Sequence, residues 1–228
     1  MATQEPADSG ESTSWRDQAV ARSLDPARAR AEKRVQRFLD AALELMSSSE
    51  NKDFTVQQVV EKSGQSLRSF YQYFAGKHEL LLALFEESVR TSAEHLAGAV
   101  ADVDDPLEKV RVCMAEYYAI CTPDPKRPKS TKSPNPSAIA EFAQQLLTDH
   151  PREAANAFAP LVDLLEGLLK DAADAGKLRQ DVSHRRIAGV LLQEIMFSAF
   201  AATISGTSLR DGGPEDLWDL ILHGIAKR

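Results

Sequence analysis

Along most of this 228-residue chain, apolar residues recur every three or four positions, the spacing of one face of a helix. Val35, Phe38, Leu39, Ala42 and Met46 form the first such stripe. It predicts a helix emerging near Ala27 and ended by the polar run SSSENKD. Thr55 then stands as an N-cap, Val56, Val59 and Val60 face inward, and Gly64 marks a stop. Ser66 can cap a short third helix carrying Phe70, Tyr71, Tyr73 and Phe74. A longer fourth helix is expected from about Gly76, with Leu81, Phe85, Val89, Leu96 and Val100 on one face, running to DVDD.

Helix starts also punctuate the second half. Asp105-Pro106-Leu107-Glu108 combines an N-cap, Pro at the first helical position and an acid at the third. Asn135-Pro136 and Gly213-Pro214 repeat the cap-then-Pro device, and His150-Pro151 is a weaker version. The stretch TPDPKRPKSTKSPNP between Thr122 and Pro136 holds five prolines and four Lys/Arg, so it reads as a loop. It is either solvated and mobile or a basic contact for DNA.

The last two helices are apolar over more than one stripe. From His184 to Ser205, Ile187, Leu191, Ile195, Ala199 and Ala202 form one face, while Leu192, Met196, Phe197 and Phe200 form an adjacent one. Leu217, Trp218, Leu220, Ile221, Leu222 and Ile225 are similarly broad. A helix apolar on two sides is buried on two sides. The economical partner for the extra face is a second copy, paired as a twofold homodimer through 184–205 and 214–226.

The fold class is therefore all-α. A helical head spans 27–78 and a larger helical domain spans 79–228. Residues 1–26, rich in Ser, Asp, Glu and Ala and without periodicity, read as a disordered extension.

Composition adds exclusions. Hydrophobic residues at 43% and charged residues at 27% are ordinary for a soluble protein. No apolar run nears the roughly 18 residues of a membrane span, and the polar N-terminus lacks a signal-peptide core, so a cytoplasmic location is expected. Cys113 and Cys121 are eight residues apart on a predicted helix, about 12 Å, too far for an internal disulfide. They read as small core residues rather than redox sensors. The histidines, His78, His95, His150, His184 and His223, show no metal-ligand spacing, and GxSxG, P-loop, HExxH and CxxC motifs are absent. Neither an enzyme nor a resident cofactor or metal is expected.

The segment FTVQQVVEKSGQSLRSFYQYFAGKHEL, Phe54 to Leu80, is where function shows. Two short helices joined at a Gly form a helix-turn-helix pattern, which holds one helix firmly enough to enter a DNA major groove. A net charge of −7 opposes DNA binding, but the charge is uneven. Between Phe54 and His78, Lys62, Arg68 and Lys77 face only Glu61; upstream, Arg28, Arg30, Lys33, Arg34 and Arg37 face only Glu32. A basic patch on an acidic body follows. The upstream cluster opposes the dipole of the predicted first helix, which reflects either a frayed start or nearby DNA phosphates.

SGQSLRSFYQYFAGKHEL resembles the recognition segment of the TetR family of bacterial transcriptional regulators, and the close likeness covers roughly residues 35 to 85. Thr55, Gly64, Ser66, Ser69, Tyr71, Phe74, Lys77 and Leu80 carry it jointly. The chain departs from that pattern at Val60 where a small Ala is usual, at Gln65 where Val is usual, and at His78 where Glu commonly follows the Lys.

By position, the resemblance implies DNA roles. Thr55 and Lys77 sit at helix starts that grip phosphates. Tyr71 and Tyr73 lie along the DNA backbone. Arg68 reads bases, since its fork fits guanine O6 and N7. Ser66, Ser69 and Gln72 complete the exposed face, and Gln65 reaches DNA rather than packing. Phe70 and Phe74 point into the core. The family's logic further implies a small-molecule effector, of unknown identity, that shifts two recognition helices set for half-sites about 34–36 Å apart. Met114, Tyr117, Tyr118, Phe142, Gln193, Met196 and Phe197 are the candidate pocket residues, apolar with scattered polar handles. The expected function is a repressor that binds a palindromic operator as a dimer and is released by its effector. The alternative is a helical dimeric protein-interaction module, or a regulator without a ligand.

Overall fold

Two apolar clusters, one small and one large, organise the chain. The computed structural model describes residues 15–47, 54–122, 136–205 and 214–225. Their elements are all α-helices, in the order α1 (Trp15–Ser47), α2 (Val56–Ser63), α3 (Leu67–Tyr73), α4 (Lys77–Ala99), α5 (Pro106–Cys121), α6 (Pro136–Asp149), α7 (Pro151–Asp174), α8 (His184–Ser205) and α9 (Pro214–Ile225).

The smaller cluster builds the head. Phe38, Leu39, Ala41, Ala42 and Met46 of α1 close over Phe54, Val59, Val60, Phe70 and Phe74, and Leu80 and Leu84 of α4 complete it. Each of the larger side chains, fully buried, contributes about 1.5–3 kcal/mol. The larger cluster gathers Phe85, Val89, Ala93 and Leu96 of α4 with the inner faces of α5, α6, α7 and α8. Helix α7 runs through its middle against α4, α5, α6 and α8. Four buried alanines on α7, at 154, 157, 172 and 173, leave room for close helix approach.

Head and body therefore meet inside α4, between Leu84 and Phe85. The division after residue 78 read from the sequence cuts a helix whose first turns serve the head. Leu80 and Leu84 form a second apolar stripe on α4, beside the Phe85–Val89–Leu96 face read from the pattern.

The first helix also differs from expectation. It begins at Trp15, so residues 15–26 of the segment read as disordered are helical, while residues 1–14 lie outside the described residues. Pro26 sits within the helix, where it forfeits one backbone bond at an exposed position. This relocation removes the dipole conflict. Arg28 lies thirteen residues from the start, about 20 Å along the axis, and pairs with Glu32 at 2.8 Å. The basic loop expected between Thr122 and Pro136 lies outside the described residues over 123–135.

The start signals hold where they can be seen. Asp105 Oδ1 accepts from the Leu107 and Glu108 N–H groups at 2.8 and 3.1 Å. Helices α6, α7 and α9 open on Pro136, Pro151 and Pro214. His150 makes no side-chain cap. Cys113 is buried and Cys121 half-buried, and both are free thiols; burial pushes them up to about 12 and about 11. Among the described residues no helix is long and apolar enough to cross a membrane.

Candidate nucleic-acid interface

The helix-turn-helix is fixed by reciprocal backbone bonds. Thr55 accepts from Gln58 N–H at 3.3 Å while the Gln58 amide oxygen accepts from Thr55 N–H at 2.8 Å, a complete capping box. At the other end of α2, Gly64 takes φ 64°, the left-handed conformation glycine adopts without strain. Its N–H donates to Glu61 at 3.2 Å and the next N–H, of Gln65, donates to Val60 at 3.3 Å. These two bonds make the Schellman closure and set the angle at which α3 leaves the turn. Ser66 then caps α3, accepting from Ser69 N–H at 3.1 Å.

Aromatic packing fixes the inner face of α3. Phe70 is fully buried and meets Phe38 edge-on, 5.4 Å between centroids, with Phe74 6.1 Å from the same ring. The outer face presents Ser66, Leu67, Arg68, Tyr71 and Gln72 to solvent, Tyr71 at 58% exposure. Its ring stands edge-on to Phe70, which orients an otherwise free side chain. Arg68, Tyr71 and Gln72 thus share an uncovered face above a rigid aromatic base.

Other members of the expected set lie elsewhere. Ser69 is not on the exposed face: its hydroxyl is buried and unpartnered, because the residue before Phe70 turns toward the head core. The Gln65 amide nitrogen is likewise buried without a partner, so this side chain packs in the turn and does not extend outward. Tyr73 is half-buried against the head cluster. Lys77 lies over the Phe54 ring, 4.7 Å from its centroid, which ties the start of α4 to the start of the motif.

The candidate effector residues separate in the same way. Met114, Tyr117 and Phe142 are buried in the body cluster, and Tyr118 and Met196 pack against it half-buried. Gln193 and Phe197 do not join them. Helix α8 turns Ala188, Leu191, Leu192, Ile195 and Ala199 inward, and two residues either way from Ile195 is about 200° around the helix. Phe197 is 61% exposed, on the outer side with Val190 at 57%. On α9, Leu220 is 72% exposed.

Residues 38–84 match the family described as bacterial regulatory proteins, tetR family. That stretch runs from Phe38 to Leu84, the two ends of the head cluster described above. The head of the chain, residues 38–84, is of the tetR family. The chain is 17% identical over 178 residues to the fatty acid metabolism regulator protein of Bacillus subtilis (strain 168), covering 78% of this chain and 85% of that protein. The structure of the transcriptional regulator FadR from Bacillus subtilis, in complex with stearoyl-CoA, superposes with a TM-score of 0.60 at 15% identity, covering 82% of this chain and 95% of that one. SmeT, the repressor of the Stenotrophomonas maltophilia multidrug efflux pump SmeDEF, gives 0.59 at 19% identity, over 85% and 90%. At these identities the likeness is one of fold, and the tetR-family match lies in the head.

One feature of the site was invisible in the sequence. His78 and His150, read as dispersed, come together with Glu153 where α4 begins and α6 gives way to α7. His78 and Glu153 are 75 positions apart, so no local spacing could reveal the pair.

Proposed function

We propose that this chain is a dimeric, ligand-responsive repressor that reads a palindromic operator through α3. The observation that carries the reading is the uncovered Arg68–Tyr71–Gln72 face above the buried Phe38, Phe70 and Phe74 rings. A short helix held this firmly can place an Arg fork against a guanine edge while its neighbours contact phosphates. In this reading Ser66, Arg68, Tyr71 and Gln72 form the first line of contact. Thr55, Tyr73 and Lys77 flank it at the phosphates, and Gln65 and Ser69 contribute only if their side chains turn outward on binding.

The dimer supplies the second recognition helix. Val190 and Phe197 on α8 and Leu220 on α9 leave large apolar groups on the outside of the body, and a second copy is the economical cover for them. In this reading the body, from Phe85 of α4 onward, acts as the effector and dimerisation domain. Among the described residues no polar or charged residue is buried, so the interior around Met114, Tyr117 and Phe142 suits a largely apolar effector. Relatives named for fatty acid metabolism, one of them bound to stearoyl-CoA, make a long-chain acyl thioester the first class to test.

Selection from a random duplex library tests the reading. The expected product is an inverted repeat whose half-sites lie one helical turn apart. Recovery of no common sequence overturns it.

A further inference from the structure

We propose that His78, His150 and Glu153 form a binding site for one divalent transition-metal ion of the Zn²⁺ class, clamping the first turn of α4 to the corner between α6 and α7. His78 Nε2 lies 2.8 Å from one carboxylate oxygen of Glu153, and His150 Nδ1 lies 3.5 Å from the other. The two imidazole rings are 4.4 Å apart between centroids, tilted by 35°. One ligand atom from each residue falls within 4.8 Å of the other two. Zinc bonds of about 2.0–2.1 Å in a tetrahedron put ligand atoms roughly 3.3 Å apart, so small side-chain rotations complete the set. Two imidazoles and one carboxylate are ordinary zinc donors, and a water takes the fourth position.

The surroundings fit. The three side chains keep 41–45% of their surface exposed, which leaves a path for the ion and its water. His150 and Glu153 are the cap and third residues of α7, held at i, i+3 by Pro151 and the helix start. His78 is the second residue of α4, where the family pattern commonly has Glu, and Phe142 stands beside its ring at 6.0 Å. A departure from the pattern therefore supplies the ligand that joins the two parts. Two residues further on, Leu80 enters the head core, so an ion here acts on the helix that seats α3. This regulatory consequence rests on the DNA-binding reading; the metal site does not.

The test uses the untagged full-length chain, stripped with chelator and titrated with zinc chloride in a calorimeter. One Zn²⁺ per chain is expected, and His78→Ala, His150→Ala and Glu153→Gln should each weaken binding at least tenfold. Cobalt(II) should give visible d–d bands without a thiolate charge-transfer band, and Cys113→Ser and Cys121→Ser should leave binding intact. All three ligands are partly exposed, so circular dichroism of the variants should match the parent. No saturable binding, or full binding by His78→Ala, overturns the site, as does loss of binding in the cysteine variants. Operator affinity should differ at least fivefold with and without zinc in the parent but not in His78→Ala. Equal affinities overturn the regulatory half alone. A protein that binds zinc as described but no duplex at all removes the repressor reading and leaves the site standing.

Discussion

Phe38 of α1 and Phe70 of α3 meet edge-on, their ring centroids 5.4 Å apart and their planes at 89°. This contact joins the long first helix to the helix that carries Arg68, and both rings are fully buried. Because α3 has only seven residues, its position comes from packing rather than from its own helical stability. Truncating Phe70 to Ala should cost about 3–5 kcal/mol of head stability. Chemical denaturation followed by circular dichroism would then show the loss, with operator binding falling alongside it. A Phe70→Ala protein as stable as the parent would mean that the head is held by something else.

The cap of α5 gives a pH signature. Asp105 accepts from the Glu108 and Leu107 backbone N–H groups, and these bonds, Glu108's first, hold its carboxyl below the usual carboxylate value. A depressed folded pKa contributes stability that is fully present above the unfolded value near about 4, and lost as pH falls through the folded one. Asp105→Ala should therefore melt at a lower temperature than the parent at pH 7. The difference should shrink progressively below about pH 4. Melting curves at several pH values check this, and a constant gap down to pH 3 would contradict it.

Phe197 separates assembly from folding. At 61% exposure it contributes little to the isolated protomer, so Phe197→Asp should change protomer stability by no more than about 0.5 kcal/mol. Sedimentation velocity should nevertheless move from dimer toward monomer, because the charge is placed on the face proposed to pair. An unchanged dimer would put the interface elsewhere.

What the sequence disclosed was local. Thr55, Gly64, Ser66 and Asp105 announce helix ends because capping depends on residues two to four positions away. Phe38 was legible as core because three- and four-residue periodicity records which face is buried, and the family resemblance placed Phe70 and Phe74 there. Features depending on rotation about a helix or on distant partners were not legible. Gln193 and Phe197 were assigned to the effector pocket, and Phe197 also to the face left for a second copy, since an apolar or amide side chain on α8 does not state which way it points; both are exposed. Ser69 was assigned to the outside because a small hydroxyl suits either environment, and here it is buried and unpartnered. The His78–His150–Glu153 cluster needs the fold to exist before its members meet.

Whether α3 reads DNA through Arg68 is decided by fluorescence anisotropy with a labelled operator. The parent should bind its selected operator well above a scrambled duplex, with affinity falling steeply as salt is raised. Arg68→Ala, exposed and therefore neutral for folding, should lose about 1–3 kcal/mol of operator affinity, roughly five- to 150-fold, and relax the preference at one base position. Equal binding of operator and scrambled duplex by the parent, together with an unaffected Arg68→Ala protein, would mean that α3 does not read DNA.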